Sequence, residues 1–441
     1  MTSTPRVFYG WYLVGIALVS GAFQTGVGIW GVSVFVNPME EDLGWSRASF
    51  FLALTIRTGL TGLLSPIVGP WRDTANGPRM LMFFGSLILG GSLIALKWVD
   101  NIWEFYLFFG VLGAIGSQGS GGIVTQTILP KWFIRRRGRA MGIASMGGAM
   151  GPLFFPITIF GIISLMGWRD AWFFLGVISL VLLVPLSFML RTNPEDVGLL
   201  PDGDRDHASD EPSTPRSERP PQSRPRPSRA YEVSLTGRQA LRSPAFWLII
   251  LAFGLGGLGL QGFQANWIPY LEGKGFAAGT AAIAITVYGI FSVSARMLWG
   301  LLADHFMVRY LIVIQSLLTA ASVLLLIYVI GPVMLFVFVI AFGLTMGGSF
   351  LLRPLIVANY FGREHIGAIT GYMRPFQATT AALGPVVVAL AYDAQGSYFW
   401  SFVAVMIGYA STAAVIMLAK PPREQLERQT MSSQSLGGAP R

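Results

Sequence analysis

The chain contains no cysteine. Disulfides, thiol nucleophiles and thiolate metal sites are excluded, and nothing about compartment follows. Charge is also scarce: Asp, Glu, Lys and Arg make up 12% of 441 residues. The three histidines, His207, His305 and His365, all fall between the long apolar runs. Those runs hold no Asp or Glu at mid-depth. There is no buried acid pair, no metal-ligand spacing and no GxxxxGK[ST] loop, so an enzyme, a bound cofactor, a metal site and ATP-driven work are all unexpected.

Apolar residues dominate instead, at 53% of the chain. Runs long enough to cross a hydrocarbon core of about 30 Å recur near 10–36, 48–71, 80–98, 103–128, 139–164, 170–190, 245–270, 277–302, 309–329, 332–357, 366–391 and 398–419. They are long and do not alternate in polarity, so they read as helices rather than barrel strands. The fold class expected is an all-α integral membrane protein with twelve transmembrane helices and the lipid bilayer as its partner. The first run is too long for a signal peptide, and no small-residue cleavage site follows it.

Basic residues set the orientation. With the N-terminus in the cytoplasm, inside segments carry 23 of the 31 Lys and Arg, and outside loops carry Arg47, Lys97, Arg169 and Lys274. Leaving out the long central loop still leaves fourteen inside against four outside, which satisfies the positive-inside rule. The net charge of +9 is thereby a topology signal and not a nucleic-acid footprint. Both termini are expected in the cytoplasm, with the protein in the plasma (inner) membrane. Trp11, Tyr12, Trp98, Trp103, Trp168 and Trp172 fall near run ends and read as an aromatic belt.

The chain divides into two similar halves, 1–190 and 244–420, each of six helices. Residues 191–243 separate them and residues 421–441 form a tail. The stretch "STPRSERPPQSRPRPSRA" is nearly free of apolar residues and predicts a disordered linker. The tail is expected to be disordered too. Asp73 and Asp304 stand 231 residues apart, Phe133 and Phe361 stand 228 apart, and Gly151-Pro152 recurs as Gly384-Pro385 at 233. A nearly constant offset is what duplication of a six-helix unit leaves. Parallel halves about an axis along the membrane normal, with a site between them near the midplane, are expected.

Four arginines lie inside the runs: Arg57, Arg296, Arg353 and Arg374. Each costs about 2.5–3.5 kcal/mol to insert. A cation at this depth with no acid beside it usually faces a water-filled cavity, and its counter-ion can be the cargo. At 1.5 Å per residue, Arg296 lies about 12 Å inward of Asp304, and Arg374 about 16 Å inward of Arg363. Snorkelling to the inner surface is the competing reading. It competes most strongly for Arg353, about 10 Å from Tyr360. Arg57 either lines the outer half of the cavity or pairs with Glu40, Glu41 or Asp42.

The opening "YGWYLVGIAL", the segment "KWFIRRRGRAMGIAS", the segment "ARMLWGLLAD", and "GPWRDTANGPRM" with its partial repeat at Asp304 together resemble the major facilitator superfamily. They are most similar to its oxalate–formate antiporter and monocarboxylate transporter branch. The resemblance covers the chain apart from linker and tail. It implies two pseudo-symmetric six-helix bundles and transport by alternating access. It also makes Gly69, Asp73, Gly77 and Arg79, with Gly300 and Asp304, a conformational-switch motif that latches the outward-open state. Gly77 and Arg79 come one place later than the family pattern, and Thr74 stands where a basic residue is usual. Plain helix capping by the two aspartates is the alternative. Arg135, Arg136, Arg137 and Arg139 read first as topology determinants. Gly138, Gly147, Gly151 and Pro152 fit the spacing of the family's antiporter motif, but Phe154-Phe155 replaces its final glycine pair. Tight helix packing is therefore the expectation for them.

By the same resemblance, a basic residue on run 8 and another on run 11 hold the two ends of a dicarboxylate, and Arg296 and Arg374 match those helices. A guanidinium suits the task because its planar fork binds a carboxylate bidentately and keeps its proton. Trp30, Gln118, Gln264 and Tyr288, with Arg57 and Arg353, complete the candidate substrate site. Gln24, Thr125, Gln126, Gln261, Asn266, Trp267 and Tyr372 also lie on cavity-facing helices of the family. Proton-coupled members carry an Asp four residues before the run 8 Arg, where this chain has Ser292. The chain is therefore read as a secondary transporter of small organic anions, mono- or dicarboxylates, that exchanges them and works as a monomer. A proton symporter, a carrier of uncharged solutes and a non-transporting sensor remain open alternatives.

Overall fold

The computed structural model describes residues 8–120, 122–203, 234–395 and 397–422. Side chains at 29–30, 33, 47–48, 120, 123–126, 152, 259–269, 272–273, 278–279, 281–282, 285, 382 and 384–395 lie outside the described set. Among the described residues every regular element is helical. Helix α1 runs over Gly10–Thr25 and Val32–Leu43, joined through a π-helical turn at Gly26–Trp30. Then come α2 (Arg47–Val68), α3 (Gly77–Ala95) and α4, made of Ile102–Phe105, a second π segment at Tyr106–Leu112, Gly113–Ser120 and Gly122–Trp132. Helices α5 (Arg137–Met166) and α6 (Trp168–Phe188) complete the first half. The second half holds α7 (Pro244–Gly273), α8 (Ala278–His305), α9 (Val308–Ile327), α10 (Gly331–Phe361), α11 (Ile366–Gln395) and α12 (Phe399–Leu418).

Local chemistry sets several helix ends. The Ser46 hydroxyl accepts the Ser49 amide at 3.2 Å to start α2, and the Asn101 side chain accepts the Trp103 amide at 3.0 Å to start α4. Gly167 at φ 85° breaks the chain between α5 and α6, a conformation that only glycine adopts without cost. Among the described residues, nine helices are long and apolar enough to cross a membrane. Helices α4, α7 and α11 stand outside those nine. Large apolar residues such as Ile67, Leu165, Val181 and Val333 are exposed on the outside of the bundle, as a lipid-facing surface requires.

Helices of each half pack mainly on one another, and two seams join the halves: α5 against α8 and α2 against α11. Small residues make both seams close. A methyl on Gly300 would fall 2.7 Å from the Gly138 carbonyl oxygen, and one on Gly69 2.7 Å from that of Gly367. Such approach favours association where lipid leaves no hydrophobic driving force between helices. Within the first half, Gly147 rests against the Leu18 carbonyl and Gly151 against Ala22 and Thr25, seating α5 on α1. The Pro152 side chain lies outside the described residues.

Two expectations change. Trp98 and Trp103 are exposed at helix ends, but Trp168 and Trp172 are buried. The Trp172 ring stacks on Phe35 at 3.8 Å, and Trp168 Nε1 donates to Asp42 at 3.2 Å. These two rings pack into the bundle beside Phe35 and Asp42 instead of joining a belt. The expected linker is also shorter at both ends. Residues 194–197 form a capped 3₁₀ turn, and Gly237–Arg242 forms a helix with a reciprocal Thr236–Gln239 cap. Leu235 donates its amide to the Phe361 carbonyl at 2.9 Å. Local caps close these short pieces, and the Leu235 bond ties the second to the end of α10. Residues 204–233, and the tail beyond 422, lie outside the described residues.

Candidate functional site

At one end of the bundle the α2–α3 and α8–α9 connections each meet the other half. Asp73 follows α2. Its carboxylate accepts the amides of Gly367 and Ala368 at 3.0 and 2.9 Å, capping α11 of the opposite half. Lys131 of α4 adds an ion pair at 3.2 Å, with both partners buried. Asp304, at the end of α8, does the reverse. It accepts the amides of Gly138 and Arg139 at 2.7 and 3.3 Å, capping α5, and bridges Arg139 at 2.9 Å. A helix N-terminus carries partial positive charge, so both placements are favourable.

Further crossings follow the same pseudo-symmetry. Arg137 donates to Asn359 at 3.0 Å, and Arg363 to the Lys131 carbonyl at 2.8 Å. Glu195 holds Arg363 at 3.1 Å. Asp202 accepts the amides of Ile134, Arg135 and Arg136 at 3.0, 2.8 and 3.2 Å, and so ties the linker's start to the α4–α5 turn. It sits at φ 61°, which costs a non-glycine residue about 1 kcal/mol or more. Arg79 takes no carboxylate among the described residues and instead lies over the Phe188 ring at 5.4 Å. Gly77 starts α3 against the Trp71 carbonyl, where a side chain would collide. This whole end of the bundle is closed.

Above it lie the arginines. Arg296 is 7% exposed and sits on the α5–α8 seam, where it donates to the Ser145 carbonyl. Its Nε is buried without a partner, and its guanidinium lies 5.1 Å from the Phe350 ring of α10. Tyr288, about two helical turns away on α8, lies within its electrostatic range. Arg374 is half-buried on α11 at the other seam, where its own carbonyl would lie 3.7 Å from a methyl at Gly62 of α2.

Its electrostatic neighbour is Arg72, a residue that reads from sequence as an ordinary loop cation. Arg72 is wholly buried. It donates to Gln118 Oε1 at 2.6 Å, while Nε and Nη1 find no partner. Burial first, then the facing charge of Arg374, pull it down to about 9 despite the help of Asp73. Gln118 in turn donates to the Thr61 carbonyl at 2.6 Å. Its side chain is therefore committed to tying α4 to α2 and to the Arg72 loop.

Arg57 is 7% exposed and lies where the two π segments meet. Its guanidinium is 4.9 Å from the Phe109 ring, and a methyl at Gly28 would come within 2.9 Å of Nη2. π turns inside α-helices often mark functional sites. Asp42, one of the acids expected to pair with Arg57, is engaged by Arg169 instead, whose hydrogen bond holds that carboxyl below the usual range. Arg353 lies against Phe253 inside the second half, away from both seams. Among the described residues no carboxylate pairs with Arg57, Arg296, Arg353 or Arg374. The side chains of Trp30, Thr125, Gln126, Gln261, Gln264, Asn266 and Trp267 lie outside the described residues. Gln24 accepts the Gly122 amide at 3.0 Å and joins α1 to α4. Tyr372 lies beside Gly237 of the short linker helix.

The arrangement is one of cations on the two seams, with the halves locked together at one end by reciprocal caps. The comparisons agree with such a machine. An oxalate:formate antiporter of Oxalobacter formigenes is 26% identical over 389 residues, 87% of this chain and 85% of that protein. An uncharacterized MFS-type transporter of Bacillus subtilis (strain 168), YcxA, is 23% identical over 453 residues, 98% of this chain and all of the relative. Monocarboxylate transporter 11 of Homo sapiens is 25% identical over 378 residues, 82% of this chain and 71% of that protein. The family model described as Major Facilitator Superfamily matches residues 18–279 and 264–437. The chain therefore belongs to the major facilitator superfamily, as a multi-pass membrane transporter of a small molecule and not an enzyme.

Proposed function

We propose that the protein carries small organic anions, mono- or dicarboxylates, by alternating access, and that it exchanges one anion for another. The observation that carries this reading is the absence of a paired carboxylate, among the described residues, at Arg296 and Arg374 on the two seams. A buried cation demands an anionic partner, and breaking such a pair from either side is costly. In this reading the substrate carboxylate is that partner: Arg296 and Arg374 hold its ends, and Tyr288 lies beside Arg296. The printed name of the Oxalobacter relative supports the same class.

In the proposed cycle the Asp73/Asp304 end faces the cytoplasm, as the distribution of basic residues supports, and the described conformation is outward-facing. Opening that end requires Asp73 and Asp304 to release α11 and α5. Each arginine lies on a seam, so a bound anion changes the balance of charge where the halves part. Ser292 occupies the position from which an acid would couple protons to Arg296, and the exchange mode rests on that residue. The protein is proposed to work as a monomer in the plasma (inner) membrane, with both termini cytoplasmic.

The test is direct binding of oxalate and formate to the purified protein by calorimetry. Wild type is expected to bind at least one of them. Arg296→Gln is expected to lose binding while keeping its elution profile and thermal transition. Equal affinity in wild type and variant would remove Arg296 from the site.

A further inference from the structure

Arg353, half-buried on α10, borders a small, partly open cavity within the second half, separate from the seams. The wall is made by Phe253 of α7, Gln315 of α9, Ser349 and Arg353 of α10, and Tyr409 and Thr412 of α12. Its volume of about 10 Å³ has room for one water or one small ion and none for an organic acid. The cavity is therefore not a second copy of the substrate site.

Its chemistry is rich in donors. Arg353 Nε is buried without a partner, and the guanidinium makes no hydrogen bond or ion pair among the described residues. Its nearest feature is the Phe253 ring at 5.1 Å. The Tyr409 hydroxyl, on a residue 1% exposed, donates only to the Met346 sulfur at 3.7 Å, and a thioether is a weak acceptor. Tyr409 lies within electrostatic range of Arg353. Two of the other polar groups are already engaged. Thr412 donates to the Ala252 carbonyl at 2.8 Å, and the Gln315 amide to Thr319 at 2.9 Å. No carboxylate lines the wall. A water would satisfy a hydrogen bond and leave the charge uncompensated, which a low-dielectric interior strongly disfavours.

We propose that this cavity is a site for a single small inorganic anion of the halide class, held by Arg353 and Tyr409 with Ser349 beside them. The anion neutralises the α7–α9–α10–α12 core and moves with the second half as a resident ion, independently of the transported cargo.

The test uses the purified full chain in detergent, with sodium gluconate replaced by sodium chloride or bromide at constant ionic strength. Chloride is expected to raise the unfolding midpoint by several degrees, because a ligand of the folded state stabilises it by mass action. The shift is expected to vanish in Arg353→Gln, to fall in Tyr409→Phe and to persist in Arg296→Gln. An anomalous peak in the cavity from bromide-grown crystals would agree, whichever variants fold. No halide shift in wild type, an undiminished shift in Tyr409→Phe and Arg353→Gln, or a bromide-free cavity holding water would overturn the proposal. Persistence in Arg296→Gln separates this site from the carboxylate site.

Discussion

Asp73 and Asp304 each cap a helix of the half to which they do not belong. Asp73 receives two amides of α11 at 3.0 and 2.9 Å, and Asp304 receives two amides of α5 at 2.7 and 3.3 Å. The two interactions mirror each other across the two seams. They are charge-assisted and partly buried, so each is worth about 1.5–3 kcal/mol. The closed end is thus held by two similar clasps rather than by one.

Neutralising one clasp should let this end open more often. Asp73→Asn keeps an acceptor but loses the charge, and a deficit of about 1.4 kcal/mol means roughly a tenfold shift in population. The chain has no cysteine, so a Ser65→Cys reporter, buried on the α2–α11 seam, reads opening without background. Maleimide labelling of that reporter is expected to rise about tenfold in the Asp73→Asn background. An unchanged rate would make Asp73 a plain cap.

The α5–α8 seam should be intolerant of bulk. A side chain at Gly138 would meet the Asp304 carboxylate at 2.6 Å and the Gly300 backbone. Gly138→Val is expected to insert normally, to lose most transport and to raise labelling at the closed end. Wild-type transport in Gly138→Val would show that the halves need not approach this closely.

Arg72 and Gln118 form a coupled pair. Gln118→Leu leaves a buried guanidinium without its acceptor and should cost about 2–3 kcal/mol. Arg72→Met together with Gln118→Leu should recover part of that loss, because both polar groups leave at once. A double-mutant cycle on unfolding midpoints measures the coupling. Strict additivity would contradict the pairing described above.

Ser292 lies one helical turn from Arg296 on α8, an (i, i+4) spacing at which side chains meet. Ser292→Asp should pair with Arg296 and compete with a substrate carboxylate. Anion affinity is expected to fall about tenfold or more at neutral pH and to recover at acid pH, as the new carboxyl is protonated and releases the cation. Calorimetry across pH reads both arms. A pH-independent loss would mean that the substitution acts through packing.

Much of this was legible in the residues. Run length and polarity announced the helices, and the 231-residue offset of Asp73 and Asp304 announced paired motifs. What that offset did not disclose is that each aspartate serves the opposite half, because a helix partner is a property of packing. Lys131 and Arg72 were hidden among basic residues that a topology count treats alike, although one pairs with Asp73 and the other is wholly buried. Asp202 escaped notice because composition near it resembles a tether. Trp168 and Trp172 were misplaced because proximity to a helix end does not say which way a ring points. For Arg353, depth leaves snorkelling and cavity lining both open, because depth does not say that its face of α10 turns into the second half.

The central claim is anion exchange through Arg296 and Arg374, and uptake into proteoliposomes tests it most directly. Labelled oxalate or formate would be supplied outside, with unlabelled anion inside or with an imposed proton gradient alone. The expected result is uptake accelerated by internal anion, indifferent to the gradient and abolished in Arg296→Gln and Arg374→Gln. Uptake driven only by the gradient, or flux that survives loss of both arginines, would contradict the account.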